Sequence, residues 1–292
     1  MKKKSSLKHT GAFWAFCAPC CILFGVFFLV PLVLSIAFSF TNYDGWKTMD
    51  FVGLKNYITL FKDSKFYLSL GRTLLYTVCT LPFRVIIPLL VAVLLCSKRV
   101  AGKSLTRTMV YIPVLMSALV VGITINWMFS QEYGLVNFII RSLGGTALEW
   151  SLNPRLATFV ISFASVWASI GFNMILYIGG INSISNDLYE AATIDGASGV
   201  QAFFRITVPM LAPTTFMVVL LSTVNLLKEY ALVQGITQGG PGLSTTFIIQ
   251  YIFDKGFNQM QYGYASAIST VVMIIFALIA FAQFKVNNGG ET

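Results

Sequence analysis

Six apolar runs, each close to the length of a membrane crossing, constrain this chain more than any other feature. They are Phe13 to Phe40, Leu74 to Cys96, Met109 to Ser130, Leu156 to Ile181, Pro209 to Leu232 and Tyr264 to Phe284. A bilayer core takes about 20 helical residues to cross, and inside lipid only helices or a closed barrel satisfy every backbone polar group. The runs are continuously apolar rather than alternating, which selects helices. Composition agrees, with 56% hydrophobic and only 11% charged residues, against about 25% charged in soluble domains; mean hydropathy is +0.76. The sequence therefore predicts an all-α polytopic membrane bundle of six transmembrane helices. A basic N-terminus is expected over residues 1–12, the membrane domain over 13–285 and a short tail over 286–292, with no room for a separate soluble domain. The first run follows lysines and contains Ser35-Ile36-Ala37, so it imitates a secretory signal. At about 28 residues it exceeds the 7–15 of a signal's apolar core, and a retained helix is expected.

Lys and Arg favour short cytoplasmic loops. Lys2, Lys3, Lys4 and Lys8 precede the first run, and Lys98, Arg99, Lys103 and Arg107 follow the second without an acid among them. Both termini are accordingly expected in the cytoplasm. The loop at 41 to 71 opposes this with Lys47, Lys55, Lys62 and Lys65, and Arg72 follows; Asp44, Asp50 and Asp63 offset them in part. Six crossings then place Asn182 to Val208 inside and Gln234 to Tyr262 outside. The net charge of +9 reads as topogenic charge facing anionic lipid, with no nucleic acid required.

Several chemistries are excluded. Cys17, Cys20, Cys21, Cys79 and Cys96 all fall in or beside apolar helices, and a zinc site needs about four ligands where the sole histidine, His9, sits in the basic tail. No metal or other cofactor is expected in this chain. No His-Glu-x-x-His helix, phosphate-cradling Gly-x-x-x-x-Gly-Lys loop or Gly-x-Ser-x-Gly elbow occurs. The chain reads as a non-enzyme that takes its energy from elsewhere.

Between the fourth and fifth runs lies Glu190-Ala191-Ala192-Thr-Ile-Asp195-Gly196, followed by Ile206-Thr-Val-Pro209. Asp187 and Glu190 fit a capping box for a helix of about two turns, ended by Gly196. Leu188, Ala191, Ala192 and Asp195 then share one narrow face whose central side chains are methyl groups. Ser198 fits the cap of a second short helix carrying Phe203, Phe204 and Arg205, and Thr207 and Pro209 start the fifth membrane helix. These residues alone fit either an amphipathic connector or a docking surface.

Glu190-Ala191-Ala192, Gly196 and Ile206-x-x-Pro209 resemble, residue for residue, the EAA loop of binding-protein-dependent ABC importer permeases. Phe13-Trp14-Ala15-Phe16 with Pro31-Leu32, Phe51 to Tyr57 (Phe-Val-Gly-Leu-Lys-Asn-Tyr), Tyr133-Gly134-Leu135-Val136-Asn137, Thr237 to Gly242 (Thr-Gln-Gly-Gly-Pro-Gly) and Tyr262 to Ala267 resemble the carbohydrate-uptake branch, specifically the subunit bearing a Thr-x-Gly-Gly-Pro loop. The resemblance implies the type I importer permease fold in its compact six-helix form, in the plasma (inner) membrane. It implies a heterodimer with a companion permease, two cytoplasmic ATPase subunits that bind the ATP, an extracytoplasmic solute-binding protein and a carbohydrate substrate. Glu190, Ala191, Ala192, Asp195, Gly196, Ile206 and Pro209 would couple to the ATPase.

The resemblance also places Ser165, Ala168, Ser169, Phe172, Leu226 and Glu229 at substrate-contact positions, with Phe172 a stacking surface for a sugar's C–H face. Ionisable groups in a span are costly and usually functional or paired. One reading has Glu229 facing the pathway with Lys228 or Arg84 balancing its charge; the other has Lys228 snorkelling outward and Arg84 pairing with a neighbouring helix. Asn173, Tyr177 and Asn225 are further candidates, equally suited to interhelical contacts. Pro82 and Pro88 imply curvature of the second helix. The implied mechanism is alternating access. The rival reading is a self-sufficient secondary transporter of a small polar solute, whose inverted repeats and broken helices the sequence does not display.

Overall fold

The computed structural model describes residues 10–46, 49–97 and 102–288. Lys2, Lys3, Lys4, Lys8, His9, Lys47, Lys98 and Arg99 lie outside the described residues, as do the ends of the expected N-terminus and tail. Among the described residues there is no strand, only an isolated antiparallel bridge between Thr41 and Phe51. Four helices among the described residues are long and apolar enough to cross a membrane: Phe16–Phe38, Ser64–Cys96, Pro154–Asn182 and Tyr262–Val286. Two bent pairs bring the number to six if each pair is counted as one span.

The chain divides into two compact units, one comprising the residues up to Ser64 with Ile252–Ile275, the other Lys65–Tyr251 with the residues from Phe276. The first unit opens with α1 (Thr10–Phe24), a wide π turn (Gly25–Leu29) and α2 (Val30–Phe38). Pro31 stands two residues after the π turn, and Val30 N–H reaches back to Gly25 O. Proline lacks an N–H and its ring crowds the carbonyl four residues back, and the wider turn accommodates both.

Beyond it, α3 (Lys55–Leu60) explains the Phe51 to Tyr57 motif. Gly53 takes a left-handed φ of 58°. Asn56 Nδ2 then donates to Ser39 O and Thr41 O, both at 2.8 Å, and the Tyr57 hydroxyl meets Ser39 Oγ at 2.7 Å. At the start of the sixth span, a Cβ on Gly263 would lie 2.1 Å from Thr41 O, so only glycine admits the hydrogen bond from Gly263 N–H to Tyr43 O at 3.0 Å. Tyr264 donates to Asp63 Oδ2 at 2.6 Å.

The second unit holds α4 (Ser64–Cys96), which carries Pro82 and Pro88 without interruption, α5 (Lys103–Leu115), α6 (Ala118–Met128), α7 (Leu135–Ser142) and α8 (Pro154–Asn182). It continues through α9 (Asn186–Ile194), α10 (Gly199–Ala202), α11 (Val208–Met210), α12 (Ala212–Leu227) and α13 (Ala231–Ile236). The chain then passes through α14 (Ile248–Phe253) to α15 (Tyr262–Asn288).

Two expectations are corrected here. The third run is not one helix: α5 and α6 meet at 101°. Pro113 has no N–H for the last turn of α5, and Met116 and Ser117 are extended, with ψ of 146° and 134°. The fifth run is also divided, with a 67° bend before α12. Pro209 and Pro213 both lack the donor that would tie one turn to the last, and Lys228, Glu229 and Tyr230 fall between α12 and α13. Broken spans are therefore present, and their expected absence no longer distinguishes a secondary transporter from an importer subunit.

Close crossings hold this unit together. A Cβ on Gly122 of α6 would lie 3.0 Å from the Cα of Gly235 of α13, and one on Gly235 would lie 2.7 Å from Leu119 O. Small residues permit such approach where lipid gives no hydrophobic drive between helices. Around this crossing Tyr76, Val121, Ile125, Ile161, Leu226, Val233 and Phe247 form one apolar cluster. A second, with Ala92, Met174, Tyr177, Ile184, Leu211 and Val218, sits where α8 leads into α9. Asn137, fully buried, accounts for the motif beginning at Tyr133. Its Oδ1 accepts from Leu148 N and Trp150 Nε1, both at 3.0 Å, and its Nδ2 donates to Leu148 O at 2.9 Å and Gln131 O at 3.1 Å.

Candidate functional site

The segment between the fourth and fifth spans folds by local rules. Ser185 caps α9, its side chain accepting from Asp187 N at 3.2 Å. The cap expected at Asp187 thus lies two residues earlier, and Asp187 occupies the first turn, where a negative charge favours the helix dipole. Gly196, at φ 75°, ends the helix in a Schellman turn: Ala197 N–H bonds to Ala192 O at 2.9 Å and Gly196 N–H to Thr193 O at 3.1 Å. Ser198 caps α10 as expected, in a reciprocal box with Gln201. A π turn over Phe203–Thr207 then precedes Pro209, the same pairing of wide turn and proline seen at Pro31.

Most of this segment faces outward. Glu190, Ala191, Asp195, Gly196 and Pro209 are exposed, while Ala192 and Ile206 are half-buried. Large apolar side chains stand exposed among them, with Ile194 at 86%, Val200 at 68% and Phe204 at 64%. Tyr189 turns inward instead, its hydroxyl 2.9 Å from Thr207 Oγ1.

The in-membrane candidates divide by exposure. Ser165 and Leu226 are fully buried; Ala168, Ser169 and Glu229 are half-buried; Phe172, Asn225 and Lys228 are exposed. Arg84 is 7% exposed and directs Nε and Nη2 to the Ser165 carbonyl, at 3.2 and 3.0 Å. Its own carbonyl accepts from Asn173 Nδ2 at 2.9 Å, and the same amide donates to Ser222 Oγ at 3.2 Å. Arg84 and Asn173 thus tie α4, α8 and α12. Tyr177 is buried in the second apolar cluster. Glu229 lies in the break after α12 and accepts from Leu232 N in the first turn of α13 at 3.3 Å.

The sequence did not single out the residues that brace this region. Thr223 accepts from Gln283 Nε2 at 2.8 Å, and Thr73 Oγ1 accepts from Ile248 N at 2.9 Å. The Thr237 to Gly242 loop is built on hydroxyls: Thr237 and Thr245 meet at 2.7 Å, and Thr245 donates to Gly240 O at 2.6 Å. Arg72 holds it from α4 through Leu243 O. No interval in the sequence signals these partners, which lie as many as 175 positions apart.

The match to the protein-family model for the binding-protein-dependent transport system inner membrane component spans residues 57–288. The arabinooligosaccharides transport system permease protein AraP of Bacillus subtilis is 32% identical over 279 residues, covering 94% of this chain and 88% of that protein. The lactose transport system permease protein LacF of Rhizobium radiobacter is 32% identical over 276 residues, covering 93% and 92%. Among solved structures, a bacterial ABC transporter involved in import of the acidic polysaccharide alginate superposes with a TM-score of 0.83 at 24% identity, covering 97% of this chain and 96% of that one.

Proposed function

This chain belongs to the family of inner membrane components of binding-protein-dependent transport systems, and on that premise we propose that it forms half of a carbohydrate translocation pathway, driven by a separate ATPase. It is a multi-pass membrane permease subunit. The other half is a companion permease, two ATPase subunits dock on the cytoplasmic side, and a solute-binding protein delivers the carbohydrate from outside. The observation that carries the reading is the coupling segment, an ordered, capped and sharply turned pair of short helices that leaves Ile194, Val200 and Phe204 uncovered. Exposed apolar side chains rimmed by polar ones mark a surface that a partner covers. Permeases named for arabino-oligosaccharide and lactose transport, similar over more than nine-tenths of this chain, support a carbohydrate as cargo.

Orientation follows from the basic residues: both termini and the 182–208 segment lie in the cytoplasm, in the plasma (inner) membrane. In the mechanism, ATP-driven closure of the ATPase pair pushes on Glu190 to Gly196, and the two permeases reorient the pathway from outward to inward facing. That shift requires the partners to bind the two states with different affinity. Phe172, Asn225 and Lys228 on the exposed side, with Ser169 and Glu229 partly accessible, form this chain's share of the pathway wall; Ser165 supports it from beneath through Arg84. The test is substrate-stimulated ATP hydrolysis by the complete reconstituted complex across a panel of sugars, polyols, amino acids and peptides. Stimulation by binding protein loaded with a sugar is expected. Stimulation by amino acids or peptides alone would overturn the carbohydrate assignment.

A further inference from the structure

One side chain of α9 joins the segment at Glu190 to Gly196 to the base of the fifth span. Tyr189 is half-buried, packs against the cluster containing Ile184 and Leu211, and places its hydroxyl 2.9 Å from Thr207 Oγ1. Thr207 is the last residue of the π turn and is itself buried. Its carbonyl accepts from Leu211 N at 3.0 Å, at the 67° bend that opens the fifth span. The Tyr189 hydroxyl therefore ends on the hinge of the helix that carries Asn225 and leads to Glu229. π turns open the helical ladder locally and recur at functional sites. Beside the pair lies a cavity of about 570 Å³ lined by Val93, Cys96, Ile181, Asn182, Tyr189 and Thr207, among others. That space leaves α9 room to tilt.

We propose that the Tyr189–Thr207 hydrogen bond is the strut that carries movement of the coupling helix to the hinge of the fifth span. The proposal rests on the coupling reading above. Tyr189 is a positioning residue, acting through Thr207 rather than by touching ATPase or substrate. Without the hydroxyl, α9 still docks, but its tilt is taken up by the adjoining cavity and hydrolysis is less well converted into transport.

The test uses the complete complex with its companion permease, ATPase pair and binding protein, and compares Tyr189→Phe, Thr207→Val, the double variant and Thr207→Ser. The readout is molecules taken up per ATP hydrolysed, alongside co-purification of the ATPase. One hydrogen bond shifts an equilibrium about 5-fold, so the uptake ratio is expected to fall by about that factor in each of the first two variants. The double variant should be no worse than either single one, Thr207→Ser should retain the ratio, and ATPase co-purification should be unchanged. Should Thr207→Val express poorly, Tyr189→Phe, which deletes only an oxygen, carries the test. An unchanged ratio in Tyr189→Phe, or single losses that multiply in the double variant, overturns the strut. Failure of the unsubstituted complex to retain any ATPase overturns the coupling reading itself, and the two failures are thereby told apart.

Discussion

Replacing Gly196 by alanine and by tryptophan separates a docking surface from a plain connector. At φ 75°, any L-residue with a Cβ carries backbone strain of roughly 1–2 kcal/mol, offset by about 0.4–1 kcal/mol from a less flexible unfolded chain. The net cost is about 1 kcal/mol, near 5-fold in an equilibrium. A Cβ at this position meets nothing within 4 Å, so within the permease the backbone strain is the main cost that alanine and tryptophan share. They should therefore have similar thermal stability in detergent. A covering ATPase surface breaks the equality, because forcing a large side chain into a packed interface costs about 1–3 kcal/mol, or roughly 5- to 150-fold in affinity. Titrating the ATPase onto the solubilised permease pair should show Gly196→Ala modestly weakened and Gly196→Trp weakened further by that factor. Asparagine, which tolerates the left-handed region, should fall nearest the native protein. Equal ATPase affinity for the alanine and tryptophan variants would refute the docking argument.

Three further outcomes follow from the geometry. Asn137→Ala strands the Leu148 and Trp150 N–H groups; at about 1–3 kcal/mol per unpartnered buried group, a clear fall in melting temperature is expected, and an unchanged one would show that Asn137 does not brace this loop. Gly235→Val drives a Cβ to within 2.7 Å of Leu119 O and should reduce the folded yield in membranes, whereas Gly179→Val, with nothing within 4 Å, should not; equal yields would contradict the α6–α13 crossing. Glu229→Gln keeps an acceptor for Leu232 N but removes the charge, which strengthens a hydrogen bond by about 1 kcal/mol or more. Uptake affinity measured in vesicles should fall about 5-fold or more, and an unaltered affinity removes Glu229 from the pathway.

The spans were legible because continuous apolarity is a bulk signal that needs no tertiary information. Their breaks were not, although Pro113, Pro213 and the polar triplet Lys228-Glu229-Tyr230 stood in the sequence: a proline within an apolar run marks a lost donor, and neighbouring helices decide whether the chain kinks or merely curves. Pro82 and Pro88 leave α4 unbroken, whereas Pro113 precedes a 101° turn. The turn at Gly196 and Ser198 was readable because caps act over three or four residues. The cap of α9 was displaced to Ser185 because Asp187 and Ser185 both carry capping oxygens, and the extended backbone at Ser185 settles the choice. Asn56, Asn137 and Gly263 stood inside recognisable motifs, but their roles depend on carbonyls that only the folded chain brings alongside. Of the candidate pathway residues, Lys228, Glu229 and Asn225 stand out in the sequence as ionisable or polar groups in an apolar run, whereas Ser165, Ser169 and Phe172 were placed by the resemblance. Ser165 and Phe172, seven residues apart, share one face of α8, so the burial of the first and exposure of the second depend on what packs at each depth, which the sequence does not encode locally.

The most direct test of the central claim is the energy source for uptake. Proteoliposomes holding this chain, its companion permease and the ATPase pair are given binding protein loaded with radiolabelled carbohydrate, with ATP inside or with an imposed ion gradient and no ATP. Uptake that requires both ATP and the binding protein, and that Gly196→Trp reduces, is predicted. Uptake driven by the ion gradient without ATP or binding protein would contradict the account.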